Sequence, residues 1–276
     1  MANLTLKDIL IKSSDFLKNK NIDTPRLDTE LIISHFLNIN RMDIYLQFER
    51  ILTQSEQNLI RNAIVERGKR KPLQYIIGIV YFLDSKITVN ETVLIPRPET
   101  EFMIDYILKN ESKPTSVLDL CTGSGVIAIS IKKKWNDTEV YASDISIDAI
   151  NIAKQNAENN DTNISFINSN LFNKINRKYD LIISNPPYIS ETDYNNLSPE
   201  LFFEPKSALV ADDNGYFFYK QILQNAKKFL NPNGKLYLEI GANQAEMIQQ
   251  TALNNNFNSI KIIKDLANLN RIAIIK

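Results

Sequence analysis

The run Tyr179-Asp180-Leu181-Ile182-Ile183-Ser184, followed at once by Asn185-Pro186-Pro187-Tyr188, decides how this chain is read. A short apolar segment rich in isoleucine and bounded by a turn signal reads as a buried strand. Proline gives no ladder hydrogen bond and has a fixed φ, so the strand stops at Ser184 and the loop beyond it is stiff, with carbonyls pointing outward. In an open parallel sheet the carboxyl ends of the strands line the ligand crevice. There, the Asn185 side-chain oxygen and a neighbouring prolyl carbonyl would offer two hydrogen-bond acceptors at fixed spacing. A planar NH2 group has the two donors to match. Taken alone, the four residues read more readily as a plain Asn-Pro turn, and the rest of the chain reverses that preference.

Around that strand the pattern alternates. Strands are expected near Ser116–Leu120, Glu139–Ser143, Ile164–Ile167 and Lys235–Ile240, with helices starting near Val126, Ile147, Tyr216 and Asn243. Such alternation implies an α/β fold, a parallel sheet with helices on both faces. Two last strands, Ile260–Ile263 and Arg271–Ile275, are joined by a short loop. A parallel crossover needs roughly a dozen residues or more, so this pair should be antiparallel.

The first part of the chain differs. Leu6, Ile9, Leu10, Phe16 and Leu17 share one helical face, Thr24-Pro25 is a cap with proline at the first helical position, and Thr53 with Glu56 forms a capping box. From Val80 to Ile95 the period becomes two, with Phe82, Ile87, Val89, Val93 and Leu94 around a polar turn near Asn90-Glu91, which predicts a β-hairpin. Pro98, Glu99 and Glu101 then suit the first turn of a helix. The expected division is a helical N-terminal domain over 1–78, a hairpin linker over 79–97 and a catalytic domain over 98–276.

Composition narrows the function. Thirty-two Lys and Arg balance thirty-two Asp and Glu among 276 residues, which argues against stable nucleic-acid binding through phosphate contacts. The local run Arg67-Gly68-Lys69-Arg70-Lys71 reads as a solvated helix end. One cysteine, Cys121, and one histidine, His35, give neither an internal disulfide nor the ligands of a zinc site. His35 shares a stripe with Leu27 and Leu31 and reads as a packed or surface residue. No apolar stretch approaches the ~18 residues of a membrane span. Lys7, Asp8 and Lys12 interrupt any signal-peptide core, so a cytoplasmic protein with no membrane association is expected.

After the first strand of the α/β region comes Cys121-Thr122-Gly123-Ser124-Gly125, leading directly into a helix, and Asp144 stands at the end of the next strand. Glycines there allow close backbone approach to a ligand, and a carboxylate at that strand end can accept both ribose hydroxyls of a nucleoside. The spacing fits two cofactors, since Gly123-Ser124-Gly125-Val126-Ile127-Ala128 also satisfies the dinucleotide pattern of an NAD enzyme. Three features favour S-adenosylmethionine: the antiparallel final pair, an Asn-Pro-Pro-Tyr loop with no role in hydride transfer, and the lack of a C-terminal histidine for acid-base work on a carbonyl. Methyl transfer from a sulfonium needs mainly alignment of a lone pair with the methyl carbon.

Together with Leu73-Gln74-Tyr75-Ile76-Ile77-Gly78, Val93-Leu94-Ile95-Pro96-Arg97-Pro98-Glu99-Thr100-Glu101 and Leu238-Glu239-Ile240-Gly241, these motifs closely resemble the HemK/PrmC family of peptide chain release factor glutamine methyltransferases. The resemblance runs from Leu4 to the C-terminus in matching order. It implies a Rossmann-like S-adenosylmethionine-dependent fold, seven strands with the last antiparallel, plus a small all-α domain joined by a hairpin. It also implies methylation of the glutamine in the Gly-Gly-Gln motif of bacterial release factors, the expected protein partners. By the family pattern, Asn185 and Pro186 hold the substrate amide, Pro187 and Tyr188 complete its site, and Tyr188 packs on the amide plane. Cys121, Thr122, Gly123, Ser124 and Gly125 contact the methionine part of the cofactor, Asp144 the ribose, and Asn170 and Leu171 the adenine, with Asn185 beside them. Three residues depart from the family: Cys121 and Asn268 stand where glycine is usual, and Asn170 where aspartate is usual. Two other functions compete. An amino-methyltransferase of adenine, cytosine or guanine would present the same NH2 to the same loop, and a non-catalytic release-factor or ribosome binder would keep the helical module while the cofactor positions drifted.

Overall fold

In the computed structural model, which describes residues 4–276, the chain forms two compact units. One holds residues 4–78 together with Ser198–Phe203; the other holds Ile79–Leu197 and Glu204–Lys276. Among the described residues no helix is long and apolar enough to cross a membrane.

The helical unit contains Leu6–Asn19, Pro25–Leu37, Arg41–Leu46, Gln54–Gly68 and Leu73–Ile77. Its first and fourth helices begin in capping boxes, Thr5 with Asp8 and Thr53 with Glu56, as the sequence expects of Thr53. Leu6, Ile9, Leu10 and Leu17 meet Ile32, Ile33, Ile60 and Ile64 in the core. Thr24 precedes Pro25 but makes no side-chain cap. Its hydroxyl donates instead to Asp28 Oδ1 (2.7 Å), while Asp28 Oδ2 accepts from Arg67 Nε (2.7 Å). The basic run is therefore not a plain solvated helix end. Arg67 is buried and also donates to Glu200, as does Arg70, so these two guanidiniums hold the Ser198–Phe203 segment within this unit. The Leu27–His35 stripe faces outward: His35 is exposed, with its ring edge-on to Phe36.

The second unit opens with a hairpin, β1 (Ile79–Phe82) paired to β2 (Ser85–Thr88). Its turn is at Leu83-Asp84, not at Asn90-Glu91, with Leu83 at φ 50°. Residues 89–97 form no second hairpin strand, because Asn90 closes its own turn, accepting from Val93 N through its carbonyl and from Thr92 N through its side chain. The main sheet then follows as β3 (Ser116–Leu120), β4 (Glu139–Asp144), β5 (Ser165–Asn168), β6 (Tyr179–Ser184), β7 (Leu230–Glu239), β8 (Ile260–Lys264) and β9 (Asn270–Ile275). Their order is β5-β4-β3-β6-β7-β9-β8. The first five pair in parallel, and β9 is antiparallel to both β7 and β8. This is the expected seven-stranded arrangement with an antiparallel last strand. All five residues of β3 are buried, as a strand covered on both faces requires. Because β3 and β6 are neighbours, Leu120 and Ser184 share a register, so the glycine loop and the Asn-Pro-Pro-Tyr loop leave the sheet side by side.

Candidate active site

A cavity of about 400 Å³ opens at the carboxyl ends of β3, β4 and β6, a size ordinary for a small-molecule site. Its wall includes Cys121, Thr122, Gly123 and Ser124 from the first loop, Asp144 at the end of β4, Asn170 and Leu171 after β5, and Asn185 and Pro187 after β6. Pro186 is buried and Tyr188 half-buried, and neither forms part of that wall. Gly125 is also outside it: it caps the Val126–Lys134 helix at φ 86°, and a Cβ there would press on Ala153 at 3.1 Å. Gly123, at φ 55°, has nothing within 4 Å of where a Cβ would stand, so its face of the loop is open.

The first loop is held from below by Asp119. This carboxylate is fully buried in β3, and its Oδ2 accepts from the Thr122 hydroxyl and from Ala128 N (3.2 Å). Burial raises its pKa to about 7, with the Asp144 charge adding to the rise. Asp144 Oδ2 accepts from Gly123 N (2.9 Å) and Oδ1 from Ser146 N (2.9 Å). A carboxylate has about four acceptor positions, so each oxygen keeps one for a ligand hydroxyl. Burial raises the Asp144 pKa as well, opposed by these backbone hydrogen bonds. Cys121 adopts φ 65° and Asn268 φ 61°, the left-handed region where glycine is free of strain and asparagine is tolerated. Burial pushes the Cys121 thiol up, away from the reactive thiolate.

Behind the second loop lies a polar network that sequence reasoning did not single out. Asn185 Nδ2 donates to Thr100 Oγ1 (3.1 Å), Thr100 Oγ1 donates to Glu239 Oε2 (2.6 Å), and Tyr188 Oη lies 3.5 Å from Glu239 Oε1. Thr100 and Glu239 are both buried. Burial raises the Glu239 pKa to about 7, Thr100 opposing and the Glu99 charge adding to it. The signals available were the motifs Pro98-Glu99-Thr100-Glu101 and Leu238-Glu239-Ile240-Gly241, which contain these two residues but give no sign that they meet. Tyr188 stacks on Tyr219, with ring centroids 6.5 Å apart and planes within 10°. The loop backbone is pinned as well. Tyr188 N and Ile189 N both donate to Leu209 O (3.2 and 2.9 Å), and Gln244 Nε2 donates to Tyr188 O (3.0 Å). Arg97, in the cavity wall, and Ile95 N both donate to buried Glu204.

Comparison with known proteins agrees with this geometry. The PrmC N-terminal domain matches residues 8–78 and the methyltransferase small domain residues 98–219. The release factor glutamine methyltransferase of Fusobacterium nucleatum is 39% identical over 98% of this chain and 78% of its own. That of Leptospira interrogans is 39% identical over 97% of this chain and 96% of its own. A methyltransferase structure from Pyrococcus furiosus has a TM-score of 0.55 over 81% of this chain and 98% of its own, at 19% identity, a likeness of fold. Matches of this extent, in a chain that sets its glycine loop beside an Asn-Pro-Pro-Tyr loop on adjacent strands, mean that the protein belongs to the release factor glutamine methyltransferase family.

Proposed function

We propose that the protein transfers a methyl group from S-adenosylmethionine to the side-chain amide nitrogen of the glutamine in the Gly-Gly-Gln motif of a bacterial release factor. The observation that carries this reading is Asn185, fixed at the exit of β6 in the wall of the cavity that also holds the glycine loop and Asp144.

The residues present fit the cofactor. The open face at Gly123, where a side chain would stand in the cavity, leaves room for a ligand against the backbone, and Asp144 keeps two acceptor positions for a diol. Cys121 to Ser124 would hold the methionine part, Asp144 the ribose hydroxyls, and Asn170 with Leu171 the adenine. S-adenosylmethionine, when bound, supplies a sulfonium methyl as the electrophile.

The task left to the protein is the nucleophile. A carboxamide nitrogen is weak because its lone pair is delocalised into the carbonyl. Asn185 Oδ1 and the Pro186 carbonyl accept its two hydrogens, turn the lone pair towards the methyl and stabilise the positive charge that develops on nitrogen. As the new N–C bond forms, the bond from sulfur to the methyl carbon would break and leave a neutral thioether, and one of these hydrogens would pass as a proton to water. Tyr188 supports the loop through its stack on Tyr219. The helical unit supplies the docking surface, because one glutamine side chain offers too little area for selectivity and remote contacts can orient the reacting amide. Such a substrate makes the cytoplasm the working compartment.

The test is to incubate the protein with labelled S-adenosylmethionine and a purified release factor and to locate the label by mass spectrometry. Label on the Gly-Gly-Gln glutamine is expected. Label appearing on added nucleic acid instead would favour a nucleobase amino-methyltransferase.

A further inference from the structure

The amide of Asn185 can face the cavity in two ways, and only one of them suits a substrate NH2. With the oxygen inward it accepts a hydrogen from the substrate; with the nitrogen inward, donor meets donor and the substrate is repelled. We propose that Thr100 and Glu239 are positioning residues that set this choice, acting through Asn185. The proposal rests on the reading of Asn185 as the acceptor of the substrate amide.

With Glu239 ionised, as it is above about pH 7, the Thr100 hydroxyl points its single hydrogen to Glu239 Oε2 at 2.6 Å. Its oxygen can then only accept from Asn185, 3.1 Å away, and the group of Asn185 that can donate is Nδ2. A flipped amide would set Oδ1 against the Thr100 oxygen with no hydrogen between them, where Thr100, itself buried, meets the cavity wall. Asn185 Oδ1 is thereby left as the outward acceptor, and among the described residues it accepts no protein hydrogen bond. The three groups come from separate elements: Thr100 from the first turn of the Pro98–Asn110 helix, Asn185 from the exit of β6 and Glu239 from the end of β7. Glu239 is held in turn by Tyr219 Oη, which donates to its backbone carbonyl (3.1 Å). Glu239 lies outside the cavity wall, so it acts through its neighbours, by the short bond from Thr100 and by the longer approach of Tyr188 Oη at 3.5 Å.

Two substitutions break the relay and two preserve it. Thr100→Val removes the hydroxyl, and Glu239→Met frees the Thr100 hydrogen to turn towards Asn185. Thr100→Ser keeps the hydroxyl, and Glu239→Gln keeps an oxygen that can accept from it. In the full-length protein, Thr100→Val and Glu239→Met should each lower kcat about 10- to 100-fold, as for loss of a preorganised group. KM for the release factor and affinity for S-adenosylmethionine by calorimetry should stay within about threefold. Thr100→Ser and Glu239→Gln should stay within about threefold in kcat, and the double variant Thr100→Val/Glu239→Met should be no slower than either single one, since both cut the same relay. Without cofactor or substrate, the Asn185 side-chain NH2 in 15N-labelled protein should lose its protection from hydrogen exchange in Thr100→Val and keep it in Thr100→Ser. The relay is overturned if Thr100→Val and Glu239→Met turn over normally while Asn185→Ala is inactive, or if Thr100→Ser loses as much as Thr100→Val. Near-normal turnover of Asn185→Ala would instead sink the underlying reading of the site. If the valine variant does not fold, Glu239→Met and Thr100→Ser still decide the matter.

Discussion

Two carboxylates, Asp119 and Glu239, are buried at the ends of β3 and β7 with pKa values raised to about 7, and this has a direct stability consequence. Unfolded, they titrate near 3.8 and 4.5. Between those values and pH 7 the folded protein therefore binds more protons than the unfolded chain, and the free energy of unfolding falls as pH rises. Their contribution is complete below about pH 4 and gone above about pH 7. Carboxylates held low by partners, among them Glu30, Asp180 and Glu200, act in the opposite sense, below about pH 4.5. Melting temperature should thus fall from pH 5.5 to 8, and Asp119→Asn should flatten that slope; an unchanged slope in the variant would show that the carboxyl is ionised throughout. Asp144→Ala should weaken S-adenosylmethionine binding by about 1.5–3 kcal/mol per charged hydrogen bond lost, and calorimetry showing unchanged affinity, or tighter binding of NAD, would refute the cofactor assignment. Much of this scale was legible. Asp144 stood out because a carboxylate at the second strand end has a known use, whereas Thr100 and Glu239 did not, because their meaning comes from a meeting across 139 residues of chain.

At the scale of elements, the strands were the clearest part of the sequence, since burial on both faces leaves uninterrupted apolar runs. β3 and β6 fall on the residues expected of them. The hairpin was misplaced because Asn90-Glu91 is the plain turn signal there, whereas Leu83-Asp84 makes its turn through a strained leucine that no residue preference announces. The stretch 189–215 was illegible. It folds into single turns, Glu191–Tyr194, Pro199–Phe203, Lys206–Leu209 and Asp212–Gly215, whose positions follow from tertiary partners and not from periodicity. One residue of that stretch braces the second site loop: Gly215, at φ 87°, lies so close that a Cβ would stand 2.3 Å from Tyr188 O. Gly215→Ala should therefore displace the Asn-Pro-Pro-Tyr loop or destabilise the unit by about 1–3 kcal/mol. Methylation rate should fall while affinity for S-adenosylmethionine changes little, and a variant with normal melting and normal rate would show that the loop tolerates the shift.

For the molecule as a whole, the proposed role of the helical unit is to dock the protein substrate. Cutting the chain before Lys71 would also strip Ser198–Phe203 of Arg67 and Arg70, which hold Glu200, so surface substitutions make the cleaner experiment. Met42 and Leu46 are 71% and 81% exposed on the Arg41–Leu46 helix. If that face docks a release factor, Met42→Ser with Leu46→Ser should lower kcat/KM for the intact protein substrate about tenfold, or ~1.4 kcal/mol, and leave a short Gly-Gly-Gln peptide nearly unaffected. An equal loss on both substrates would count against docking there. The two-unit organisation was legible because helical periodicity gives way to strand periodicity near Gly78, whereas the return of Ser198–Phe203 to the helical unit depends on ion pairs between residues more than a hundred positions apart. The proposed function turns on Asn185 holding the amide that receives the methyl group. Its most direct test is the single-turnover rate of Asn185→Ala on a release factor with S-adenosylmethionine saturating. A fall of ~10²- to 10³-fold with the fold and cofactor affinity preserved is the expected result, and near-normal turnover would contradict the account.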